Sequence, residues 1–402
     1  MMHIFMNSLA ASAGGGLTYV RNIVPQFAVR TDVRLTAALS SNLRREFDAA
    51  PNIDFLELGV PNASRFWYEQ RVLPEWIRKS GASVLLSTGN FALRNSPVPQ
   101  ILLSRNSLYL SRDFFRDLIA RGEYRMWVDT HMRAFLAKRS VCWANATVAP
   151  SRAFARELEK WTGVKVFTIH HGFDKGAFGR DGAALPAHIQ RCLDSVRDSL
   201  KILFVSHYNY YRNFETLIRA LPGLRSRLTH RAVRLLLTCK LAPGMNPGTY
   251  RAESVAGLVR ELGVADMVVE LGAIPYQSLH QLYKRADLYV TPAYAETFAH
   301  PLVEAMASGV PIVASDIPVH REICGDAAVY FERFSPEALV DSILQVADEK
   351  ERLKSMVEKG RVRADRYSWK AHVEQIIELA RLLVQSPTML RHSVQQDDRQ
   401  GQ

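Results

Sequence analysis

The chain has 402 residues, of which 48% are hydrophobic and 23% charged, and this composition excludes a largely disordered protein. At about 150 residues per domain, the length predicts two or three domains. The four cysteines, Cys142, Cys192, Cys239 and Cys324, lie far apart and form no CxxC pair. Their spacing argues against a disulfide scaffold or a zinc module and favours a reducing compartment.

The net charge of +11 is concentrated in the first half of the chain. Residues 1–180 carry 24 Lys and Arg against 14 Asp and Glu, whereas residues 181–402 carry 27 against 26. A basic surface attracts anionic membranes, phosphorylated carriers or nucleic acid, and it also keeps a protein in solution. The charge alone does not separate these alternatives.

The N-terminal segment is apolar, but its first positive side chain is Arg21, so the basic region of a secretory signal peptide is missing. We therefore expect a strand at about residues 2–6 that opens into a glycine loop. No stretch of 18 or more apolar residues follows, so we expect no transmembrane helix.

Short apolar runs alternate with amphipathic helical patterns along most of the chain, which predicts parallel α/β structure. In the first half the predicted strands are HIFM, VRLTAAL, FLEL, SVLLS, PQILLS, ATVAP and VKVFTI. Predicted helices begin after Gly16, near Arg65, near Arg112 and after Ser151, a residue that caps helices well. In the second half the predicted strands are KILFVS, VRLLLTC, MVVELG, LYVTP, PIVAS and AAVYF, and residues 335–385 are helical in pattern.

These elements predict two α/β domains. The first spans residues 1–175, and a glycine-rich segment of weak periodicity, residues 176–199, is the predicted linker. The second domain spans residues 200–375 and is followed by a helix at 376–385. The polar tail, residues 386–402, is predicted to be disordered.

Three consecutive glycines, Gly14, Gly15 and Gly16, stand between the first predicted strand and its helix. Glycine lets a backbone approach a ligand closely, and the following helix N-terminus offers free N–H groups to an anion. The spacing matches neither the GxGxxG fingerprint nor a P-loop. A ligand-binding turn and an ordinary tight turn therefore both stay open.

Two segments of the first half, residues 65–79 and 111–127, mix aromatic side chains with Arg and Lys. This is the composition of a helix that lies on an anionic membrane, although aromatics of a cleft or core give the same pattern. Further along the chain, the adjacent His170 and His171 point in different directions, which predicts packing rather than a metal site.

Arg212 follows the first strand of the second domain, just before a helix that is predicted to start near Asn213. A cation at a strand–helix junction is a natural ligand for a diphosphate, and an ordinary surface arginine is the alternative.

Two glutamates, Glu296 and Glu304, flank a turn after the predicted strand LYVTP and are separated by seven residues. Glu296 is predicted to lie in the loop, Pro301 at the first helical position, and Glu304 in the first turn of a helix that ends at Gly309. Ligands of open parallel sheets bind at this edge, where carboxylates suit sugar hydroxyls and a helix N-terminus suits phosphate. The alternative is that Glu304 only complements the helix dipole and Glu296 is solvated.

The segment AETFAHPLVEAMASGVPIVAS, followed by REICGDAAVYF, resembles the retaining GT-B glycosyltransferases of family 4, also called glycosyl transferases group 1. FVSHYNYYRNFETLIRAL, LGAIPYQSLHQLYKRADLYVTP and the triple glycine support the resemblance, which covers most of residues 1–385. It implies two Rossmann-like α/β domains that face each other across a cleft, with a nucleotide-sugar bound mainly to the C-terminal domain.

By motif position, the resemblance implies that Glu296 contacts hydroxyls of the transferred sugar, that Glu304 holds the ribose, and that Arg212 replaces the family's lysine at the diphosphate. The remaining implied donor contacts are Gly15, Gly16, His207, Gly272, Thr297, Phe298, Ala299, His300 and Leu302. On the acceptor side, a histidine frequent in the family is missing, and the candidates to replace it are Arg105, Asn106 and, more remotely, His131.

Two departures from the family pattern concern the donor site. The family usually has Gly-Arg where this chain has Ser206 and His207, so one expected phosphate cation is absent. The family's loop glycine is Ala299 here, a change that we expect to be sterically mild.

The resemblance implies transfer of a sugar from a nucleotide-diphosphate-sugar to an acceptor hydroxyl with retained anomeric configuration. It implies front-face attack assisted by the leaving phosphate, and no cofactor or essential metal. We expect a glycan or lipid-linked acceptor, in surface polysaccharide or glycolipid synthesis, and a cytoplasmic protein in contact with the anionic inner membrane face.

Two alternatives stay open at this stage. One is a nucleotide-sugar epimerase or hydrolase of the same fold. The other is a basic, non-catalytic binding protein, but no recognition motif accompanies the charge, so we expect no nucleic-acid partner. The sequence does not specify the sugar, the base, the acceptor or the oligomeric state.

Overall fold

The structure is a computed structural model that describes residues 1–11, 14–59, 65–179 and 183–386. It divides the chain into two compact units. Unit 1 comprises Met1–Gly172 and Ser368–Gln402, and unit 2 comprises Phe173–Tyr367. The chain therefore leaves unit 1 and returns to it near the C-terminus.

Unit 1 contains a seven-stranded parallel sheet. Its strands are β1 (Met2–Asn7), β2 (Val33–Leu39), β3 (Ile53–Glu57), β4 (Val84–Ser87), β5 (Gln100–Leu103), β6 (Ala146–Ala149) and β7 (Val166–Thr168), in the order β3-β2-β1-β4-β5-β6-β7. In register, Ile4 pairs with Leu35 on one side and with Val84 on the other. The strand order reverses between β1 and β4, and this switch point is where open parallel sheets bind ligands.

The helices of unit 1 cover both faces of this sheet, as buried parallel strands require. They are α1 (Gly14–Ala28), α2 (Ser41–Arg44), α3 (Arg65–Ser80), α4 (Arg112–Ala120), α5 (Tyr124–Trp143) and α6 (Arg152–Thr162), with the C-terminal α16 (Trp369–Gln385). Ser111 and Ser151 cap α4 and α6, since each hydroxyl accepts the backbone N–H three residues on at 3.2 Å.

The three glycines form the first turn of α1, which begins at Gly14 and not after Gly16 as predicted. Glycine is tolerated there because the first N–H groups of a helix have no intrahelical partner. Gly14 has a φ of 55°, a conformation that favours glycine. The two residues ahead of it, 12–13, lie outside the described part of the chain.

Helix α16 completes the core of unit 1. Its buried apolar residues Val373, Ile376, Ile377, Ala380 and Leu383 join the same cluster as the core residues of α1 and the sheet. His372 fixes its position, because Nδ1 donates to the carbonyl of His170 at 2.8 Å and Nε2 accepts from the hydroxyl of Tyr19 at 2.9 Å. The ring of His171 packs beside Trp369, with centroids 5.6 Å apart, in the packing role that we predicted for it.

Unit 2 contains a six-stranded parallel sheet. Its strands are β8 (Leu200–Phe204), β9 (Val233–Leu237), β10 (Val268–Glu270), β11 (Leu288–Thr291), β12 (Ile312–Ser315) and β13 (Ala328–Phe331), in the order β10-β9-β8-β11-β12-β13. The order reverses between β8 and β11, where Ile202 pairs with Leu288. The loops after these two strands therefore occupy the switch point of the second sheet.

The helices of unit 2 alternate with its strands. They are α7 (Lys175–Phe178), α8 (Ala187–Ser195), α9 (Phe214–Arg227), α10 (Glu253–Glu261), α11 (Tyr276–Lys284), α12 (His300–Ser308), α13 (Pro318–Cys324), α14 (Pro336–Asp348) and α15 (Lys350–Ala364). Each predicted strand of both domains is present, and the two Rossmann-like α/β domains predicted from the sequence are confirmed.

The boundaries of the units differ from the predicted ones. The predicted linker, residues 176–199, contains α8 and most of α7 and belongs to unit 2. The predicted break at residue 375 falls inside α16, which belongs to unit 1 because its apolar face completes that core. Most of the tail predicted to be disordered, from residue 387 onward, lies outside the described residues.

Among the described residues, no helix combines the length and the apolar character that crossing a lipid bilayer requires.

Replacing Gly172 by alanine should destabilise unit 1. A Cβ at this position would overlap the backbone of Ser368 and Trp369, where the returning chain enters α16. We expect Gly172→Ala to lower the free energy of unfolding by about 3 kcal/mol, the upper range for an overpacked site. Chemical denaturation measures it, with Gly59→Ala as the control, because a Cβ at Gly59 meets no atom within 4 Å. Equal stability of the two variants would contradict the described contact.

Candidate functional site

The candidate site of unit 2 lies at the carboxyl edge of its sheet, where the strand order reverses. The loop after β8 carries Arg212, and the loop after β11 carries Glu296. Because β8 and β11 are adjacent and parallel, both loops emerge side by side at the same edge. Sequence reasoning predicted both residues at strand ends, and the sheet order explains why they meet.

Arg212 and Glu296 form an ion pair across these two loops, through Nη1 of the arginine and Oε1 of the glutamate. The arginine side chain is 19% exposed and that of the glutamate 10%. The alternatives of a solvated Glu296 and a plain surface Arg212 therefore do not describe the structure. Among the described residues, the buried Nε of Arg212 has no hydrogen-bond partner, so the guanidinium keeps a donor for a further acceptor.

Backbone and amide contacts hold the two loops together. Asn213, the N-cap residue of α9, donates through Nδ2 to the carbonyl of Pro292 at 3.2 Å. The N–H of Tyr294 donates to the carbonyl of Tyr211 at 3.1 Å. The ion pair is thus fixed from both sides by neighbours in sequence.

Glu304 lies one turn inside α12 and not in its first turn as predicted, because the helix begins at His300. Its side chain is buried, and Oε2 accepts a hydrogen bond from the hydroxyl of Tyr283 at 2.9 Å. Burial raises the pKa of Glu304 to about 7, although the bond from Tyr283 acts to lower this pKa. The position inside the helix also argues against a role as a mere complement of the helix dipole.

The turn into α12 is strained. Ala299 caps this helix with φ 62° and ψ 63°, in the left-handed region. A left-handed non-glycine residue costs roughly 1–2 kcal/mol. The replacement of the family's glycine is therefore not as mild as the sequence indicated, and we have no physical account of why alanine stands here.

The residues around the start of α12 differ in burial and in hydrogen bonding. Phe298 is buried, and its ring packs against His300 at 4.9 Å and Tyr367 at 5.2 Å. The N–H of Leu302 is already bonded to the carbonyl of Ala299 at 3.0 Å, so the implied contact of its amide with a diphosphate is not supported. Thr297 is half-buried in the loop before the turn.

The hydroxyl of Tyr289 in β11 interacts electrostatically with both Arg212 and Glu304. Burial raises the pKa of the Tyr289 hydroxyl; Arg212 acts to lower this pKa and Glu304 to raise it. The two charges therefore act on one buried hydroxyl beneath the sheet edge. His207 lies on the same side, and burial together with Arg212 lowers its pKa, so it is a poor substitute for a permanent phosphate cation.

Gly272 follows β10 at the same sheet edge. Its φ is 82°, and a Cβ there would lie 3.4 Å from Cε of Lys240. The position therefore needs glycine for its backbone conformation. No described contact joins it to the ion pair.

In unit 1, Arg105 connects the glycine turn to the sheet. Its guanidinium donates to the carbonyl of Gly15 at 3.0 Å and to the carbonyl of Thr88 at 2.6 Å, and it packs 4.8 Å above the ring of Tyr19. A Cβ at Gly16 would lie 3.6 Å from this guanidinium. Burial lowers the pKa of Arg105 to about 10, and the residue supports the switch point of the first sheet.

The other acceptor-side candidates have structural roles. Asn106 caps a short 3-10 turn, since Oδ1 accepts from the N–H of Leu108 at 3.0 Å. His131 lies on α5, with Nδ1 3.0 Å from the carbonyl of Trp127 and its ring against Phe115. Among the described residues, no contact links His131 to Arg105 or Asn106.

Sequence reasoning missed two residues. Tyr283 holds Glu304 from α11, 21 residues earlier in the chain, and no local pattern marks such a pair. Glu69 lies inside a segment for which a membrane-surface helix and packing in a cleft or core both stayed open, and it is buried beside Arg65 at 3.4 Å. Burial raises the pKa of Glu69 to about 7. An acid within a basic, aromatic helix was the only available signal.

Among the described residues, no group of three or more His, Cys, Asp or Glu side chains is arranged to hold a metal ion. The edge of unit 2 presents instead an arginine donor, the N-terminus of α12 and two carboxylates. Such a set can bind an anion and hydroxyl groups of one ligand together.

Part of the chain is similar to a known family. Residues 189–363 match the family described as "Glycosyl transferases group 1". The D-inositol 3-phosphate glycosyltransferase of Corynebacterium aurimucosum is 33% identical over 180 residues, which cover 44% of this chain and 41% of that protein. The enzyme of the same name from Corynebacterium urealyticum is 29% identical over 405 residues, covering 94% of this chain and 92% of that protein.

This chain matches five curated relatives, all D-inositol 3-phosphate glycosyltransferases, over only 39% to 46% of their own length. Among solved structures, Anabaena HepE in complex with UDP-glucose superposes with a TM-score of 0.71 at 16% identity, covering 95% of this chain and all of HepE. This likeness shows the fold.

The matched family and the fold agree with the sequence motifs around Glu296 and Glu304. Residues 189–363 are therefore similar to the glycosyl transferases group 1 family.

Proposed function

We propose that the protein transfers a sugar from a nucleotide-diphosphate-sugar to an acceptor hydroxyl. The observation that carries the proposal is the edge of unit 2: Arg212, whose buried Nε is unused, is paired with Glu296, and the loop that carries Glu296 leads into the N-terminus of α12, the helix that contains Glu304. The arginine and the helix N-terminus suit a diphosphate, and the two carboxylates suit the hydroxyls of a ribose and a hexose.

In this proposal Arg212 and the N-terminus of α12 stabilise the charge that develops on the departing diphosphate. Glu296 orients Arg212 and accepts hydroxyls of the transferred sugar. Glu304 accepts ribose hydroxyls through Oε1, which takes no hydrogen bond from the described residues. The departing phosphate assists deprotonation of the acceptor on the same face of the sugar, so the anomeric configuration is retained.

Two comparisons support this reading. The curated relatives are named as glycosyltransferases that act on D-inositol 3-phosphate. HepE, which has the same fold, has been solved with UDP-glucose. We propose that the donor here is a nucleotide-sugar of this class and that protein cations make a metal unnecessary.

We further propose a glycan or lipid-linked acceptor and a role in surface polysaccharide or glycolipid synthesis in the cytoplasm. The basic first half of the chain suits a phosphorylated or membrane-bound acceptor. The cysteines are unpaired, as a reducing compartment requires.

A panel of nucleotide-sugars should identify the donor. We expect one member to raise the melting temperature, because a ligand that binds only the folded state stabilises it, by about 2.7 kcal/mol at a hundred times its dissociation constant. Thermal unfolding measures binding, and product analysis with and without acceptors measures transfer. Stabilisation by no nucleotide-sugar would refute the proposal, and turnover of the donor without any acceptor would assign a hydrolase or epimerase instead.

Arg212→Met should lower kcat about 10²- to 10³-fold, the usual effect of losing one preorganised group that stabilises developing charge. Arg225→Met is the matched control, since Arg225 lies on the adjoining helix α9 but is half-exposed and paired with Asp266. Steady-state kinetics with the identified donor measure both. If Arg212→Met retained wild-type kcat, the assigned role of this arginine would be wrong.

Donor affinity should rise with pH because Glu304 must lose its proton to accept ribose hydroxyls. With its pKa at about 7, the ionised fraction rises about tenfold between pH 6 and pH 8. Titration with the donor measures this rise, which should vanish in Glu304→Gln. The control is Glu69→Gln, because Glu69 also has a pKa raised to about 7 but lies in unit 1.

Stability should change in the opposite direction. The folded chain holds a proton on Glu304 that the unfolded chain has already released between about pH 4.5 and pH 7. The free energy of unfolding therefore falls as pH rises through this window, and Glu304→Gln should flatten the fall.

One outcome would contradict the role of Glu304 in donor binding. If donor binding by Glu304→Gln kept a pronounced pH dependence, a group other than Glu304 would be titrating.

A further inference from the structure

Helix α5 exposes a stripe of large apolar side chains. Tyr124, Val128, Met132 and Phe135 are each between 53% and 65% exposed. Their spacing of four, four and three residues places them on one face of the helix. We call this set the α5 stripe; it extends for about 17 Å along the helix axis at 1.5 Å per residue.

The α5 stripe is not the face that packs on unit 1. The buried residues of the helix, Thr130, Ala134, Ala137 and Val141, lie on the opposite side. The helix is therefore apolar on its inward and outward faces, whereas a helix on a protein surface ordinarily has one apolar face. A contiguous exposed set of this kind marks an interaction surface.

Unpaired cations border the stripe. Arg125, Lys138 and Arg139 are exposed, and none has a carboxylate partner among the described residues. The guanidinium of Arg139 lies 5.5 Å from the ring of Phe135, so this cation stands directly at the end of the stripe. The one acid of the helix, Asp129, is already paired with Arg133 at 2.7 Å.

We propose that the α5 stripe docks on an anionic lipid bilayer. Tyrosine, methionine and phenylalanine enter the boundary between headgroups and acyl chains, and arginine and lysine reach the phosphates beside them. The helix would lie in the plane of the membrane, held by apolar area and by charge. This inference goes beyond sugar transfer and does not depend on the donor.

Charge decides between a bilayer and a second copy of the chain. Helix α5 carries four Lys and Arg against one Asp, within a first half that carries an excess of ten positive charges. Two such faces would repel each other. Each cation near an anionic membrane surface, by contrast, raises the affinity of the protein for the membrane about fivefold. The sequence offered residues 65–79 and 111–127 for a membrane contact, with packing in a cleft or core as the alternative; the exposed apolar stripe lies at residues 124–135.

Vesicle flotation with the full chain tests the proposal. We expect binding to vesicles of 30% phosphatidylglycerol in phosphatidylcholine, and at least tenfold weaker binding to phosphatidylcholine alone. Val128→Asp and Phe135→Asp should each weaken binding to the anionic vesicles about tenfold or more. Arg139→Gln should weaken it about fivefold.

Val362→Asp is the matched control, since Val362 is 61% exposed on helix α15 of unit 2. It should bind the anionic vesicles like the wild type, and circular dichroism should show that all variants are folded. The proposal is overturned if the wild type does not float, or if Val128→Asp floats like Val362→Asp. It is also overturned if sedimentation shows a dimer that Val128→Asp dissociates, since a second copy would then cover the stripe.

Discussion

The ion pair between Arg212 and Glu296 is the interaction on which the candidate site depends. It joins the two loops that follow adjacent strands β8 and β11, and it holds a guanidinium in place while one of its nitrogens stays unused. A largely buried charge pair contributes little net stability, because desolvation offsets most of the Coulomb attraction. Its value here is geometric: a cation that already has a counter-charge can be kept largely buried at a sheet edge, where a second anion can bind, without an uncompensated charge in the ligand-free protein.

Much of the fold followed from the sequence, because buried parallel strands are short apolar runs and stand out against the amphipathic helices between them. The positions of Arg212 and Glu296 followed from the same pattern, since a residue just after a predicted strand must lie at the carboxyl edge. That these two edges are adjacent depends on the strand order. Hydrophobic periodicity does not encode that order, and the structure supplies it.

What the sequence could not provide were contacts between distant segments and exact helix starts. The hydroxyl of Tyr283 that holds Glu304 comes from a different helix, and the first residue of α12 is set by the left-handed turn at Ala299. The burial of Glu69 contradicts the basic, aromatic character of the residues around it. The units also divide where tertiary packing requires, because the last helix fits the apolar surface of the first core and not that of the second.

The return of α16 to unit 1 sets the order in which the protein can be completed on the ribosome. The first unit is synthesised first, yet its core lacks a side until residues 369–385 emerge. At 5–20 residues per second, the roughly 210 residues that intervene take about 10–40 s to translate. During that interval the second unit can fold on its own, while the nascent first unit presents bare apolar surface. Loss of the last helix would make that exposed state permanent.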